Sequence, residues 1–164
     1  MTARLPYRVL FVCTGNSARS ILAEFILNSR AHGRFEAFSA GANPTGVVNP
    51  YVAEILHRQF RADPSVARSK SWQEFEGQHF DFIITLCDKA RESCPAWPGH
   101  PITAHWGSPD PAVDEGTPEQ QRQAVFAVAT QIATRIGLFT ALRDHDLDAM
   151  RIREIGEQAK LSGA

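Results

Sequence analysis

Cysteine is nearly missing from this chain, with three in 164 residues. So sparse and odd a set excludes a disulfide framework, and in a reducing compartment such thiols are free, or catalytic and redox-active. No Cys-x-x-Cys pair and no His/Cys cluster has zinc spacing, so no metal ligand set is read. Charge of one sign is also lacking. Lys and Arg number 17 against 18 Asp and Glu, for a net charge of −1, which argues against a general nucleic-acid or anionic-membrane binder. No apolar run approaches the roughly 20 residues of a membrane span, and Met1 to Tyr7 carry no signal-like segment, so the expected location is cytoplasmic. The Gly-x-x-x-x-Gly-Lys-Ser/Thr nucleotide loop is absent. With no repeat, low-complexity tract or linker, residues 1–164 read as one domain, long enough to bury a core.

What is present concentrates in Arg8-Val-Leu-Phe-Val-Cys13-Thr-Gly-Asn-Ser-Ala-Arg19-Ser20-Ile-Leu. An apolar, β-branched run ends at Cys13, a loop of small polar residues follows, and a helical pattern opens with Arg19, which gives strand, anion-binding loop and helix N-terminus in order. The small residues Thr14, Gly15, Asn16, Ser17 and Ala18 let a tetrahedral oxyanion approach the backbone N–H groups, and Gly15 and Asn16 best tolerate the left-handed angles of such a turn. The helix N-terminus and the Arg19 guanidinium both favour a thiolate at Cys13, and hence a nucleophile at neutral pH. Arg19 offers a planar fork for two oxygens of a phosphate-like ion, and Ser20 can donate its hydroxyl to the thiolate. The plainer alternative is a buried cysteine ending a strand, with an exposed Arg on the next helix.

Further along, Ile21, Leu22, Phe25 and Ile26 predict a helix from about Ala18 to about Ala31, and Phe35 to Gly41 predicts a second strand, completing a right-handed β-α-β unit. Asn49-Pro50 starts a helix with Val52, Ile55, Leu56 and Phe60 on its buried face. Arg68 to Trp72 is open to two readings, another phosphate-contacting basic segment or a solvated turn before a short helix. Phe80 to Cys87 reads as a central parallel strand covered on both faces. Its cysteine belongs on the same carboxyl rim as Cys13. Asp88 to Pro101, with Cys94, reads as loop, and Ile102 to His105 as a short strand before a turn-rich stretch containing Asp110. Thr117-Pro-Glu-Gln120 has a capping-box pattern for a helix to about Leu142. A short terminal helix, about 144–157, follows with Leu147, Met150 and Ile155 among charges, and residues beyond Gln158 are expected to fray. Trp97 and Trp106 read as packing residues.

Three features together, the Cys-x5-Arg-Ser loop beside the first strand, the order of elements and an Asp-Pro on a late loop, resemble the low-molecular-weight tyrosine phosphatase fold. More narrowly, Cys13-Thr-Gly-Asn-Ser-Ala-Arg-Ser20, Thr85-Leu-Cys87 followed by Cys94-Pro, and His105-Trp-Gly-Ser-Pro-Asp-Pro-Ala112 resemble the arsenate reductases built on that fold, over about Tyr7 to Leu142. The resemblance implies an α/β three-layer sandwich, a four-stranded parallel sheet with helices on both faces. It implies arsenate as substrate, with phosphate or sulfate competing in the loop Thr14–Ser20, and Asp110 as general acid. It also implies a relay in which a Cys13–Cys87 disulfide forms first, Cys94 then gives Cys87–Cys94, and thioredoxin reduces the product. No tightly bound cofactor is implied. Some reductases of the family have a cysteine where this chain has Ala18. Others bind potassium through an Asn, a Glu, a Ser and an Asp. Asn16, Glu24 and Ser39 match the first three, but the fourth position falls near Ser71, and Glu24 reads equally as an exposed helix residue.

The alternative is a low-molecular-weight protein tyrosine phosphatase, hydrolysing phosphotyrosine through a phosphocysteine intermediate. It needs neither Cys87 nor Cys94, and its relatives commonly set an aromatic residue after the Asp-Pro pair, where this chain has Ala112 and Val113. A non-catalytic oxyanion-binding module is a third reading. For a reductase, a glutathione–glutaredoxin or other small-thiol donor would use fewer of the three cysteines.

Overall fold

The computed structural model describes residues 5–111 and 116–161. Ala112 and Val113, cited above for their lack of an aromatic ring, lie outside the described residues, as do residues 1–4 and 162–164. The elements run β1 (Tyr7–Cys13), α1 (Arg19–Arg30), β2 (Phe35–Gly41), α2 (Pro50–Phe60), β3 (Phe82–Thr85), α3 (Asp88–Ser93), β4 (Ile102–His105), α4 (Pro118–Ala141) and α5 (Ala149–Ile155). Four parallel strands form one sheet in the order β2-β1-β3-β4. This is the expected layered α/β architecture. β1 and β3 are the inner strands, and Val9 to Val12 and Phe82 to Ile84 are almost wholly buried because both sheet faces are covered.

Helix α1 lays Ile21, Leu22, Ile26 and Leu27 on the sheet, each fully buried and each contributing about 1.5–3 kcal/mol on removal from water. α4 packs against α1, and α2 against both. The expected starts hold: Asn49 accepts from the Tyr51 N–H at α2, and Thr117 and Gln120 form a reciprocal capping box at α4. α4 is long and apolar enough to cross a membrane by length and composition alone. Its apolar side, including Val125, Val128, Ile132, Ile136 and Phe139, is instead spent on the core.

Three expectations need correction. Asp88 to Ser93 is a short helix rather than loop. In α5 Ile152 and Ile155 are the buried residues while Met150 is exposed. Of the residues beyond Gln158 expected to fray, Leu161 packs against the core, and 162–164 lie outside the described residues. The buried Arg135 guanidinium donates to the carbonyls of Gly107, Gly156 and Gln158 at 2.9, 2.8 and 3.0 Å, and the Trp106 indole N–H donates to Ile152 O at 2.9 Å.

Candidate active site

β1 ends at Cys13, whose side chain is buried at the carboxyl rim of the sheet. The loop that follows is fixed from outside. The carbonyls of Cys13, Thr14, Gly15 and Ser17 accept from the backbone N–H groups of Ala42, Asn43, Thr45 and Asn49. Asn16 takes the left-handed angle (φ 47°), as expected, whereas Gly15 does not. A Cβ on Gly15 would meet Thr45, and one on Gly41 would lie 2.6 Å from Thr14 O, so Gly41 is what lets β2 close on the loop. α1 opens at Ala18 without a side-chain cap, leaving the positive end of its dipole at the end of the loop.

The loop side chains form a chain of hydrogen bonds leading to the nucleophile. The Asn16 amide donates to Ser20 Oγ at 2.7 Å, and Ser20 Oγ lies 2.9 Å from Cys13 Sγ. Arg19, mostly buried, donates to Ser108 O at 3.1 Å and lies 3.9 Å from the Asp110 carboxylate. The late loop with the candidate acid is thereby tied to the anion site. Arg19, Cys87 and Asp110 border one cavity of about 460 Å³, which Glu157, Lys160 and Leu161 from the segment after α5 also line.

Cys87 follows β3 and caps α3, its sulfur accepting from the Ala90 N–H at 3.4 Å. The same sulfur lies 3.1 Å from Thr14 Oγ1. Cys94 sits at the other end of α3, half-buried. Burial pushes its thiol pKa up, and the Trp97 indole N–H offsets part of that. Trp97 Nε1 is itself buried with no hydrogen-bond partner, so the indole lies near the sulfur but outside hydrogen-bonding geometry with the resting thiol. His105 bridges Thr85 Oγ1 (2.8 Å) and the first-turn Asp88 of α3 (3.1 Å). Burial lowers its pKa most, with Arg91 adding to the effect and Asp88 opposing it.

Asn16 Oδ1 accepts from the Lys70 backbone N–H at 2.9 Å. Glu24 and Ser39 come together, and Glu24 is not an exposed helix residue: Ser39 donates to its carboxylate at 2.5 Å. Among them, however, stands the ammonium of Lys70, 3.2 Å from Ser39 Oγ and 3.7 Å from Glu24 Oε1. Ser71 is used elsewhere, accepting from the Gln73 N–H. A potassium ion at this position would meet a positive charge, so these residues do not fit the ion. No cluster of three or more His, Cys, Asp or Glu suited to a metal occurs among the described residues. The solvated-turn reading of 68–72 thus fails at Lys70, whose burial only the folded neighbours reveal.

A parallel sheet with a Cys-x5-Arg loop at the end of its first strand, facing an Asp-bearing loop, defines an enzyme site built for a tetrahedral oxyanion. The chain belongs to the low molecular weight phosphotyrosine protein phosphatase family, which residues 8–141 match. Within that family it is similar to the arsenate reductase of Halalkalibacterium halodurans, 34% identical over 131 residues that cover 80% of this chain and 93% of that protein. Among solved structures it resembles an arsenate reductase in the phosphate binding state (26% identity, TM-score 0.65, 82% of this chain and 97% of that one). It also resembles a thioredoxin-dependent arsenate reductase of Corynebacterium glutamicum (26% identity, TM-score 0.57, 80% of this chain and 60% of that one).

Proposed function

We propose that this chain is an arsenate reductase, working through Cys13, Cys87 and Cys94 with thioredoxin as external reductant in the cytoplasm. Arsenate sits in the loop Thr14–Ser20, its charge met by backbone N–H groups and the Arg19 fork. The Cys13 thiolate attacks arsenic, an arsenic–oxygen bond breaks, and Asp110 supplies the proton that lets the oxygen leave as water. Arsenic is still arsenic(V) in the resulting thiol adduct. The Cys87 thiolate then attacks Cys13 Sγ. The sulfur–arsenic electron pair passes to arsenic, which departs as arsenite, and the two sulfurs are left as a disulfide. Cys94 attacks Cys87 Sγ, restoring the Cys13 thiolate, and a thioredoxin dithiol reduces the Cys87–Cys94 bond.

The observation that carries this reading is the position of Cys87, its sulfur 3.1 Å from the hydroxyl of the residue next to the nucleophile. A hydrolase has no use for a thiol there. The short helix α3 supports the second exchange. From Cys87 to Cys94 the helical rise amounts to about 10 Å, beyond the roughly 4.4–6.8 Å that a disulfide spans between Cα atoms. α3 must therefore unwind. Once its sulfur bonds to Cys13, Cys87 can no longer cap α3, and a helix of six residues has little stability of its own.

The test is NADPH consumption by the purified protein with thioredoxin, thioredoxin reductase and arsenate, run beside Cys94→Ser. Arsenate-dependent turnover in the wild type, lost in the variant, is the expected result. Aryl-phosphate hydrolysis without arsenate turnover under any thiol donor would favour the phosphatase reading instead.

A further inference from the structure

Lys70 lies in a stretch of alternating polar residues, yet its side chain is only 10% exposed, and the Glu24 side chain facing it only 18%. A buried ammonium needs oxygens around it, and three are present: Ser39 Oγ at 3.2 Å, Arg68 O at 3.1 Å and Glu24 Oε1 at 3.7 Å. Each belongs to a different part of the fold, respectively β2, the 68–70 segment and α1. The backbone of the same residue continues the tie. The Lys70 N–H donates to Asn16 Oδ1 at 2.9 Å, and Lys70 O accepts from Gly41 N–H at 2.8 Å. Asn16 is the left-handed residue of the anion loop, and its amide leads through Ser20 to Cys13 Sγ.

We infer that the Lys70 ammonium is a built-in monovalent cation, a positioning group that holds β2, α1 and the anion loop in binding geometry and makes added potassium superfluous. The surrounding charges agree with this role. Burial is the larger effect on both partners, raising the Glu24 pKa and lowering that of Lys70, and each one's charge offsets part of it in the other. The pair is held by geometry, and loss of the ammonium would leave the buried Glu24 carboxylate without its counter-charge 3.7 Å away.

The inference rests on the anion-loop reading of the site, and inorganic phosphate is the probe because both the reductase and the phosphatase readings require the loop to bind it. Calorimetric titration of the full chain with phosphate should give the same affinity in potassium chloride and in choline chloride at equal ionic strength. Lys70→Met, which fills the space without the charge, should weaken phosphate about tenfold or more in both salts, the size of one lost charged hydrogen bond. Lys70→Ala, which opens the space, should weaken it similarly in choline but recover in potassium or methylammonium, a rescue that loss of mere packing would not show. Wild-type affinity that rises with potassium, or variants that bind like wild type, would overturn the inference. If Lys70→Ala fails to fold, the wild-type salt comparison and Lys70→Met still decide it. A wild type that binds no phosphate in any salt would remove the anion-loop reading and the inference with it.

Discussion

Thr14 Oγ1 stands 3.1 Å from the sulfur of Cys87, so a side chain of the anion loop touches the thiol that follows β3. This contact links the chemistry at Cys13 to the second thiol. Replacing Cys87 with Ser should abolish arsenate turnover while slow p-nitrophenyl phosphate hydrolysis continues, since only the reductive branch needs a second sulfur. Thr14→Val should keep phosphate binding and slow the first disulfide, read by mass spectrometry of acid-quenched single turnovers. Loss of both activities in Cys87→Ser would make Cys87 a structural residue.

In the proposed relay Cys94 sets the pH dependence of the later exchange. Burial in the folded state raises its pKa, so its thiolate is scarce near neutrality until α3 unwinds, and the rate of Cys87–Cys94 formation should climb as pH rises above neutrality. Trp97→Phe removes the one N–H that favours the thiolate and should shift that profile to higher pH. Quenched-flow measurement of the two disulfides checks it, and an unchanged profile would mean that the indole only packs against Phe80, where its ring lies edge-on.

In the proposed mechanism Asp110 acts in a step common to both branches. Asp110→Asn should lower arsenate turnover about a hundredfold or more, with phosphate affinity little changed. On aryl phosphates the loss should be larger for phenyl phosphate than for p-nitrophenyl phosphate, because the poorer leaving group needs the proton. Equal losses on the two esters would assign Asp110 to binding through Arg19, which lies 3.9 Å away.

Arg135 is the strongest stability prediction. Its guanidinium is 1% exposed and serves three backbone carbonyls. Arg135→Ala leaves these carbonyls without a donor in a site that water reaches poorly, at a cost of about 3 kcal/mol or more. Urea unfolding measures it directly. A change under about 1 kcal/mol would mean that the segment after α5 detaches without consequence.

The anion loop was legible because its signal is local: an apolar strand, a cysteine, small residues and a helix follow one another, and β1 and β2 were delimited by the same kind of pattern. α3 was not legible. It is one and a half turns long and buries only Ala90, so it carries no usable period, and its cap is a cysteine sulfur rather than one of the residues that usually mark a helix start. Lys70 was misread for a different reason. Nothing in Arg68-Ser-Lys-Ser-Trp72 announces that Glu24, 46 positions away in sequence, will stand beside its ammonium, and only tertiary contact turns a surface-like lysine into an interior one. Arg135 likewise carries no local mark of burial in the sequence, since two of its three acceptors, Gly156 O and Gln158 O, come from the segment after α5.

The clamp at Arg135 separates two boundaries that are easily confused. Similarity to the family ends at residue 141, but the folded unit continues to the last described residues, since Ile152 receives the Trp106 indole N–H and Gly156 packs so closely on His105 O that a Cβ there would lie 2.2 Å from it. A protein trimmed to the family's extent would present a bare guanidinium, an uncovered indole and the exposed flank of β4 to its neighbours. Such a shortened chain would be expected to self-associate rather than to behave as a smaller enzyme.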